Sequence, residues 1–286
     1  MIPLKTTTLF ILLVVVISTV CIVGCTQQPP VQPTPQPTTL KPNDTVRVAT
    51  TTLGNILADA QGKTLYYFAK DIAGSGASSC SGQCAVAWPV FSADTVTVSS
   101  PLVSSDFASF IRADGTKQTT FRGWPLYYFQ ADVKAGDVFG ENVTGNWFVV
   151  KPDETVMLSQ QGSRLFLTDK MGKTLYYFTK DTSGTSTCTA ACLANWPVFS
   201  ADPLSAPSVL KAADFSIVTR TDGAKQTAYL GRPLYYFAAD TKPGDMKGDG
   251  VNSVWFVANA SGSVPVVATT QPTTTATTQK SSYGGY

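Results

Sequence analysis

Four times the chain spells the same aromatic tetrapeptide, Leu-Tyr-Tyr-Phe: at Leu65–Phe68, Leu126–Phe129, Leu175–Phe178 and Leu234–Phe237. Tyr, Phe and Leu suit a pleated surface, and successive side chains of a strand point to opposite faces. Leu65 and Tyr67 should therefore share one face of a strand, and Tyr66 and Phe68 the other. Both faces are apolar, so each tetrapeptide is expected to be a strand covered on both sides. Any fold for this chain has to bury four such strands.

The tetrapeptides belong to a longer repeat. Tyr66 and Tyr176 lie 110 positions apart, as do Gly62 and Gly172. Further on the offset is 108, for Cys80 and Cys188, Cys84 and Cys192, Trp88 and Trp196, Asp114 and Asp222, Tyr127 and Tyr235, and Trp147 and Trp255. The two missing residues fall between Asp181 and Cys188. The chain is a tandem duplication with copies near 45–151 and 154–260, and such periodicity signals stacked or pseudo-symmetric structure. Each copy also echoes itself: GKTLYYFAKD and GWPLYYFQAD share a Gly turn, the tetrapeptide and a closing Asp. From Tyr66 the motif tyrosines follow at intervals of 61, 49 and 59 residues, and this long–short alternation favours paired halves. The expected fold is all-β: two tandem antiparallel β domains, each with two LYYF-centred halves. The rival architecture is a single four-unit, propeller-like ring.

Turn chemistry frames the strands. Gly62 precedes the first tetrapeptide; Asp114-Gly115 and Arg122-Gly123, repeated at Asp222-Gly223 and Leu230-Gly231, separate short alternating runs as in a meander. Trp147–Val150 and Trp255–Val257 should close each copy as final strands. Helix is expected only as a short turn around Cys84–Trp88, stopped by Pro89.

The N-terminus reads as an export signal. A 16-residue apolar run from Leu9 to Gly24 follows Lys5, shorter than the roughly 20 residues a spanning helix needs and suited to a signal core. It closes on Ile22-Val23-Gly24-Cys25, which looks like a lipobox whose Cys25 takes a lipid; an uncleaved N-terminal anchor is the alternative. Either places the remainder on the extracellular face of the cell membrane. The assigned segments are a signal peptide over 1–25, a Pro/Thr-rich spacer over 26–44, β repeat domains over 45–151 and 152–262, and a Thr-rich tail over 263–286. Sequons at Asn43, Asn142 and Asn259 are candidate glycosylation sites.

The motifs Tyr66-x-Phe68-x-x-Asp71, Tyr127-x-Phe129-x-x-Asp132, Tyr176-x-Phe178-x-x-Asp181 and Tyr235-x-Phe237-x-x-Asp240, with the two Cys-x3-Cys…Trp-Pro segments, resemble the secreted lipoprotein repeat family named for Y-x-[FWY]-x-x-D. The resemblance covers roughly residues 45–260. It implies location and class, and no reaction.

Four cysteines lie beyond the signal. In an oxidising compartment the close partners are expected to form disulfides, Cys80–Cys84 and Cys188–Cys192. A redox-active pair or a four-thiolate metal site are the weaker readings. The chain has no His, which removes Ser-His-Asp and Cys-His catalysis, His-ligated zinc and the usual general base near neutral pH. A net charge of +2 without a basic run argues against nucleic acid. Asp240, Asp245 and Asp249 are dense enough to suggest calcium, but do not fit the EF-hand spacing, and the turn reading is preferred. No metal and no cofactor are expected. The function expected is a non-catalytic structural or binding module, attached to the membrane by its N-terminal lipid or anchor. The alternatives are a carbohydrate- or polymer-binding module, with a surface polysaccharide or protein as ligand, and a cell-surface redox protein.

Overall fold

In the computed structural model, which describes residues 44–260, the two copies run through the same elements in the same order. The first copy begins with a hairpin, β1 (Val46–Thr51) and β2 (Gly54–Asp59), and continues with the tetrapeptide strand β3 (Tyr66–Phe68). A single helical turn, α1 (Gln83–Ala87), precedes the meander β4 (Phe107–Ile111), β5 (Lys117–Phe121) and β6 (Trp124–Pro125), and the copy closes with β7 (Trp147–Val149). The second copy repeats this as β8 (Val156–Gln161), β9 (Arg164–Asp169), β10 (Tyr176–Phe178), α2 (Ala191–Asn195), β11 (Phe215–Thr219), β12 (Lys225–Tyr229), β13 (Arg232–Tyr235) and β14 (Trp255–Val257). All pairings between named strands are antiparallel.

Within a copy the halves are partners. Tyr66 and Tyr127 exchange backbone hydrogen bonds at 2.9 and 3.0 Å. Tyr66 also lies opposite Val149, and Tyr127 opposite Val90, so each tetrapeptide is flanked by a segment led by a Trp, Trp147 or Trp88. In the second copy β10 sits between β13 and β14 in a five-stranded sheet ordered β11-β12-β13-β10-β14. The motif strands of one copy pair with each other and not with those of the other copy. The halves are thus grouped in twos, as the alternating spacing predicts, and no ring of four units forms among the described residues.

The period-2 reading of the tetrapeptide holds. Tyr66 and Phe68 enter a core private to the first copy, with Trp88, Tyr127 and Trp147. Tyr176 enters the matching core of the second copy with Trp196, Tyr235 and Trp255. Leu65 and Tyr67 face the other way, into a core that also contains Val156, Met157, Leu158 and Leu175 of the second copy. Each large side chain hidden this way contributes about 1.5–3 kcal/mol, and the third core belongs to both copies at once.

The joint between copies is specific. The amide of Leu158 donates to the Tyr67 hydroxyl (3.2 Å), and the amide of Gln160 to the Ala69 carbonyl (2.6 Å). Trp124, almost fully buried, lies 5.1 Å from the Tyr67 ring and donates its indole N–H to the Lys170 carbonyl (3.1 Å). Residues 44–260 all fall within one compact unit.

Two turns depart from what their sequence suggests. Arg122 and Leu230 hold φ near +49° ahead of Gly123 and Gly231, a left-handed conformation that bulky residues adopt only at a cost. Their amides donate to the carbonyls of Asp106 and Asp214, each at 2.6 Å, which holds the strained corner in place.

Candidate functional site

Every position of the Y-x-F-x-x-D motif has a separate mechanical use. The motif tyrosine of one half donates to the motif aspartate of the other half: Tyr66 to Asp132 (2.7 Å), Tyr127 to Asp71 (2.6 Å), Tyr176 to Asp240 (2.6 Å) and Tyr235 to Asp181 (2.7 Å). The second oxygen of each carboxylate accepts a backbone N–H from the loop that follows its own strand, from Ser79, Phe139, Thr187 and Lys247 respectively for Asp71, Asp132, Asp181 and Asp240. Each aspartate therefore pins its own loop with one oxygen and the opposite half with the other. Gly140 and Gly248 complete two of these clasps, donating their amides to the Tyr66 and Tyr176 hydroxyls at 3.2 and 3.3 Å. A Cβ at Gly140 would meet Tyr66 Cζ at 2.7 Å, and at Gly248 it would meet Tyr176 Cε1 at 2.8 Å, so only Gly fits over the phenol.

The motif phenylalanines end a ladder of rings. Phe68 stacks on Trp147 (4.1 Å), Trp147 on Trp88 (3.8 Å, 2° between planes) and Trp88 on Phe129 (4.3 Å). Phe178, Trp255, Trp196 and Phe237 repeat the order at 4.2, 3.8 and 4.3 Å. Cys80–Cys84 and Cys188–Cys192 are at bonding distance, 2.04 and 1.97 Å, with Cα atoms 5.2 and 5.4 Å apart. Cys80 and Cys188 are buried in the two private cores.

A second polar system went unread in the sequence. Arg112 and Arg220 are buried cations. Arg220 donates to the carbonyl of Cys188 (2.7 Å) and to Gln226 Oε1 (2.8 Å), and Gln226 passes a hydrogen bond to the Leu234 carbonyl (2.8 Å). Arg112, Cys80, Gln118 and Leu126 form the same chain in the first copy. A buried guanidinium is tolerable only when its donors are met, and here it ties the disulfide loop to the meander. The available signal was that Arg and Gln recur at the 108-residue offset, Arg at the start of the Asp-Gly turn and Gln on the strand that follows it.

Burial is the leading cause of the shifts in these groups. It pushes the Tyr66, Tyr127, Tyr176 and Tyr235 phenols well above their ordinary range, and the facing carboxylates push them further. Burial also lifts Asp71 to about 6, against the hydrogen bonds from Tyr127 and Ser79 and the charge of Arg112, which pull it down. Asp132 and Asp240 are raised for the same reason. Glu154, at the joint between copies, is driven well above the carboxylate range by complete burial, with neither oxygen in a hydrogen bond among the described residues.

The three carboxylates suggestive of calcium do not converge. Asp240 serves its clasp, Asp245 accepts from the amides of Thr241 and Lys242 and pairs with Lys247 (2.9 Å), and Asp249 pairs with Arg164 (2.6 Å) and caps Val257. No group of three or more His, Cys, Asp or Glu positioned for a metal occurs among the described residues. Asn142 is exposed and Asn259 half-buried; Cys25 and Asn43 lie outside the described residues. A hollow beside the motif residue Asp71 sits where the copies meet. It is a cavity of about 340 Å³ whose lining includes Lys70, Asp71, Ser79, Ser159 and Gln160.

Fold and clasps together define a tandem all-β repeat protein whose repeated polar groups are internal fastenings. The chain belongs to a family described as a secreted repeat of unknown function, whose model matches residues 47–92, 108–151, 156–200 and 216–259. Each match takes in one half: a hairpin, its tetrapeptide and the Trp-led segment that flanks the partner half's tetrapeptide. No curated protein and no solved structure matches the chain. No helix among the described residues is long and apolar enough to cross a membrane.

Proposed function

We propose that the chain is a lipid-anchored module on the extracellular face of the cell membrane, structural or adhesive in role and without catalytic activity of its own. One observation carries this reading: the motif tyrosines and aspartates, the paired buried arginines and the core tryptophans that the repeat duplicates are all engaged inside the fold. The phenols are spent on aspartates, the aspartates on loop amides, the guanidinium groups on carbonyls, and the indoles on one another. Phenols held protonated by burial make poor bases or nucleophiles. Cys25 takes the lipid in this account, and residues 26–44 hold the β region off the membrane.

Cys25→Ser in the full chain tests the anchor. Folded protein should appear in the medium with an unchanged Tm; a variant that stays in the membrane fraction would establish an uncleaved anchor instead. The non-catalytic part is tested by Tyr→Phe at all four clasps. Tm should fall while any adhesion measured below the new Tm persists, and loss of adhesion by a folded variant would move the function into the clasps.

A second reading, binding of a surface polysaccharide or protein, is favoured by the cavity beside Asp71, whose rim residues Ser159, Gln160 and Gln161 offer hydroxyl and amide groups to a hydroxyl-rich ligand. Phe139 is the only exposed Phe, Tyr or Trp among the described residues, so recognition there would rest on polar contacts and not on ring stacking. Glycan-array binding that disappears in Gln160→Ala would establish it, and an array silent for the parent chain would remove it. The cysteine pairs favour a redox role less, since one sulfur of each is sealed in an aromatic core.

A further inference from the structure

The motif tyrosines and core tryptophans of each copy form one connected set. Trp88 and Trp147 lie face to face at 3.8 Å with 2° between their planes, and Trp196 and Trp255 repeat this at 3.8 Å and 3°. Each indole has its own motif tyrosine at an edge. Tyr66 lies 5.4 Å from Trp88 and Tyr127 5.1 Å from Trp147. In the second copy Tyr176 lies 5.5 Å from Trp196 and Tyr235 5.1 Å from Trp255. Each of these phenols donates its proton to an aspartate at 2.6 or 2.7 Å. The order stacked indole, phenol, carboxylate therefore occurs four times. Core packing requires the rings and fastening requires the hydrogen bond, but neither requires that every such phenol sit against a stacked indole. Tyr67 shows the other arrangement: it lies 5.1 Å from Trp124, outside either stack, and its hydroxyl accepts the Leu158 amide.

Indole and phenol rings are among the side chains that give up one electron most readily. Face-to-face stacking spreads a positive hole over two rings, so the Trp pair is where a hole settles first in each private core. A phenol yields an electron only as it sheds its proton, because its radical cation is strongly acidic, and the aspartate is the base in place to take that proton. The step balances. One electron passes from the phenol to the indole radical cation, and the phenolic proton passes to the carboxylate. The products are an indole, a phenoxyl radical and a carboxylic acid, all neutral. One positive and one negative charge vanish from an interior where charge is costly. Burial already favours the protonated form of Asp71, Asp132 and Asp240. Tyr66, Tyr127, Tyr176 and Tyr235 are 0% exposed, so a phenoxyl formed there is shielded from water and from other molecules. Trp88 and Trp196 are the more exposed members of their stacks, and the hole enters at their edges.

We propose that each private core is a reversible one-electron sink for small, diffusible radical oxidants. The oxidant takes one electron from the Trp stack and is itself reduced by it. The hole then moves to a motif tyrosine as the phenolic proton moves to the aspartate of the opposite half. A one-electron reductant such as ascorbate restores the phenol, with the proton returning from the aspartate. This activity goes beyond a structural or adhesive role and uses neither cysteine pair.

Pulse radiolysis of the full chain, with the azide radical as oxidant, tests this through the indolyl and phenoxyl absorption bands. In the parent chain the indolyl band should give way to the phenoxyl band in a first-order process, independent of protein concentration and slower in heavy water. Asp71→Asn combined with Asp132→Asn keeps both phenols of the first copy and removes their bases. It should slow conversion in that copy by about 100-fold, the effect of losing a positioned base. Tyr66→Phe with Tyr127→Phe should leave holes in the first copy as long-lived indolyl radicals while the second copy still converts. Tyr67→Phe should change nothing. In the parent chain, an indolyl band that decays only by encounters between molecules would overturn the proposal, whether or not any variant folds. So would a folded Asp71→Asn, Asp132→Asn chain that converts as fast as its parent, or a Tyr67→Phe chain that has lost the phenoxyl band.

Discussion

Tyr67 and Tyr177 hold the same place in the two copies and are used differently. Around Tyr67 the duplication is complete: the next copy delivers β8 against its hydroxyl, and Trp124 closes the side of the ring. Around Tyr177 the position of Trp124 is taken by Arg232, whose guanidinium lies 4.5 Å from the ring centre. The private cores, by contrast, are near replicas, with Trp–Trp stacks of 3.8 Å in both copies and four clasps between 2.6 and 2.7 Å. The interior of a copy is thus governed by its own two halves, and divergence collects where a copy meets something else.

The sharpest break in the comparison should come at Trp124. Trp124→Ala removes a buried indole from the shared core and should cost about 3–5 kcal/mol in denaturant unfolding. Arg232→Ala, at the same place in the second copy, gives up a cation–π contact worth about 0.5–1 kcal/mol. Equal costs would mean that the joint is no more than loose contact. Next come the clasps. Tyr127→Phe leaves the nearly inaccessible Asp71 without its phenol and should cost about 1–3 kcal/mol. Tyr235→Phe, facing the half-buried Asp181, should cost less because water can reach the carboxylate.

A pH titration separates the joint from the cores. Glu154 and Asp71 have carboxyls raised by burial, so the folded chain binds protons that the unfolded chain releases. Stability is therefore full below the unfolded values of 4.5 and 3.8 and is lost as pH rises. For Asp71 the loss falls between 3.8 and about 6. Glu154→Gln should flatten the remaining decline and leave the protein more stable than its parent at pH 7; an unchanged pH profile by thermal melting would contradict the burial of that carboxyl. The smallest effect is expected at the strained corner of the second copy, where Leu230→Asn relieves a positive φ on an exposed side chain. Its gain should be about 0.5–1 kcal/mol, whereas Arg122→Asn should gain less because Arg122 also pairs with Asp106 at 3.1 Å.

Much of this was legible beforehand because it is local. The period of two in Leu65–Phe68 gives the facing of each ring, the close spacing of Cys80 and Cys84 gives the disulfide, and Trp88-Pro89 ends the helical turn α1. The partners of those rings were not legible. Asp71 follows its own tyrosine by five residues and reads as a turn cap, but it binds Tyr127, 56 residues away; a strand pattern says which face a side chain takes and nothing about who meets it. The equivalence of Trp88 and Trp147, which stack across the two halves, was hidden by unequal loops. The shared core was also missed, because Val156–Leu158 reads as a strand of its own copy and nothing local shows that its outer edge serves the other.

Double-mutant cycles on the clasps test the central claim most directly. With Tyr66→Phe combined with Asp132→Asn, unfolding free energies should show a coupling of about 0.5–3 kcal/mol, while Tyr66→Phe with Asp71→Asn should be additive within about 0.5 kcal/mol. Coupling inside a single motif, between Tyr66 and Asp71, with none across the halves would contradict the exchange of partners on which this account of the repeat stands.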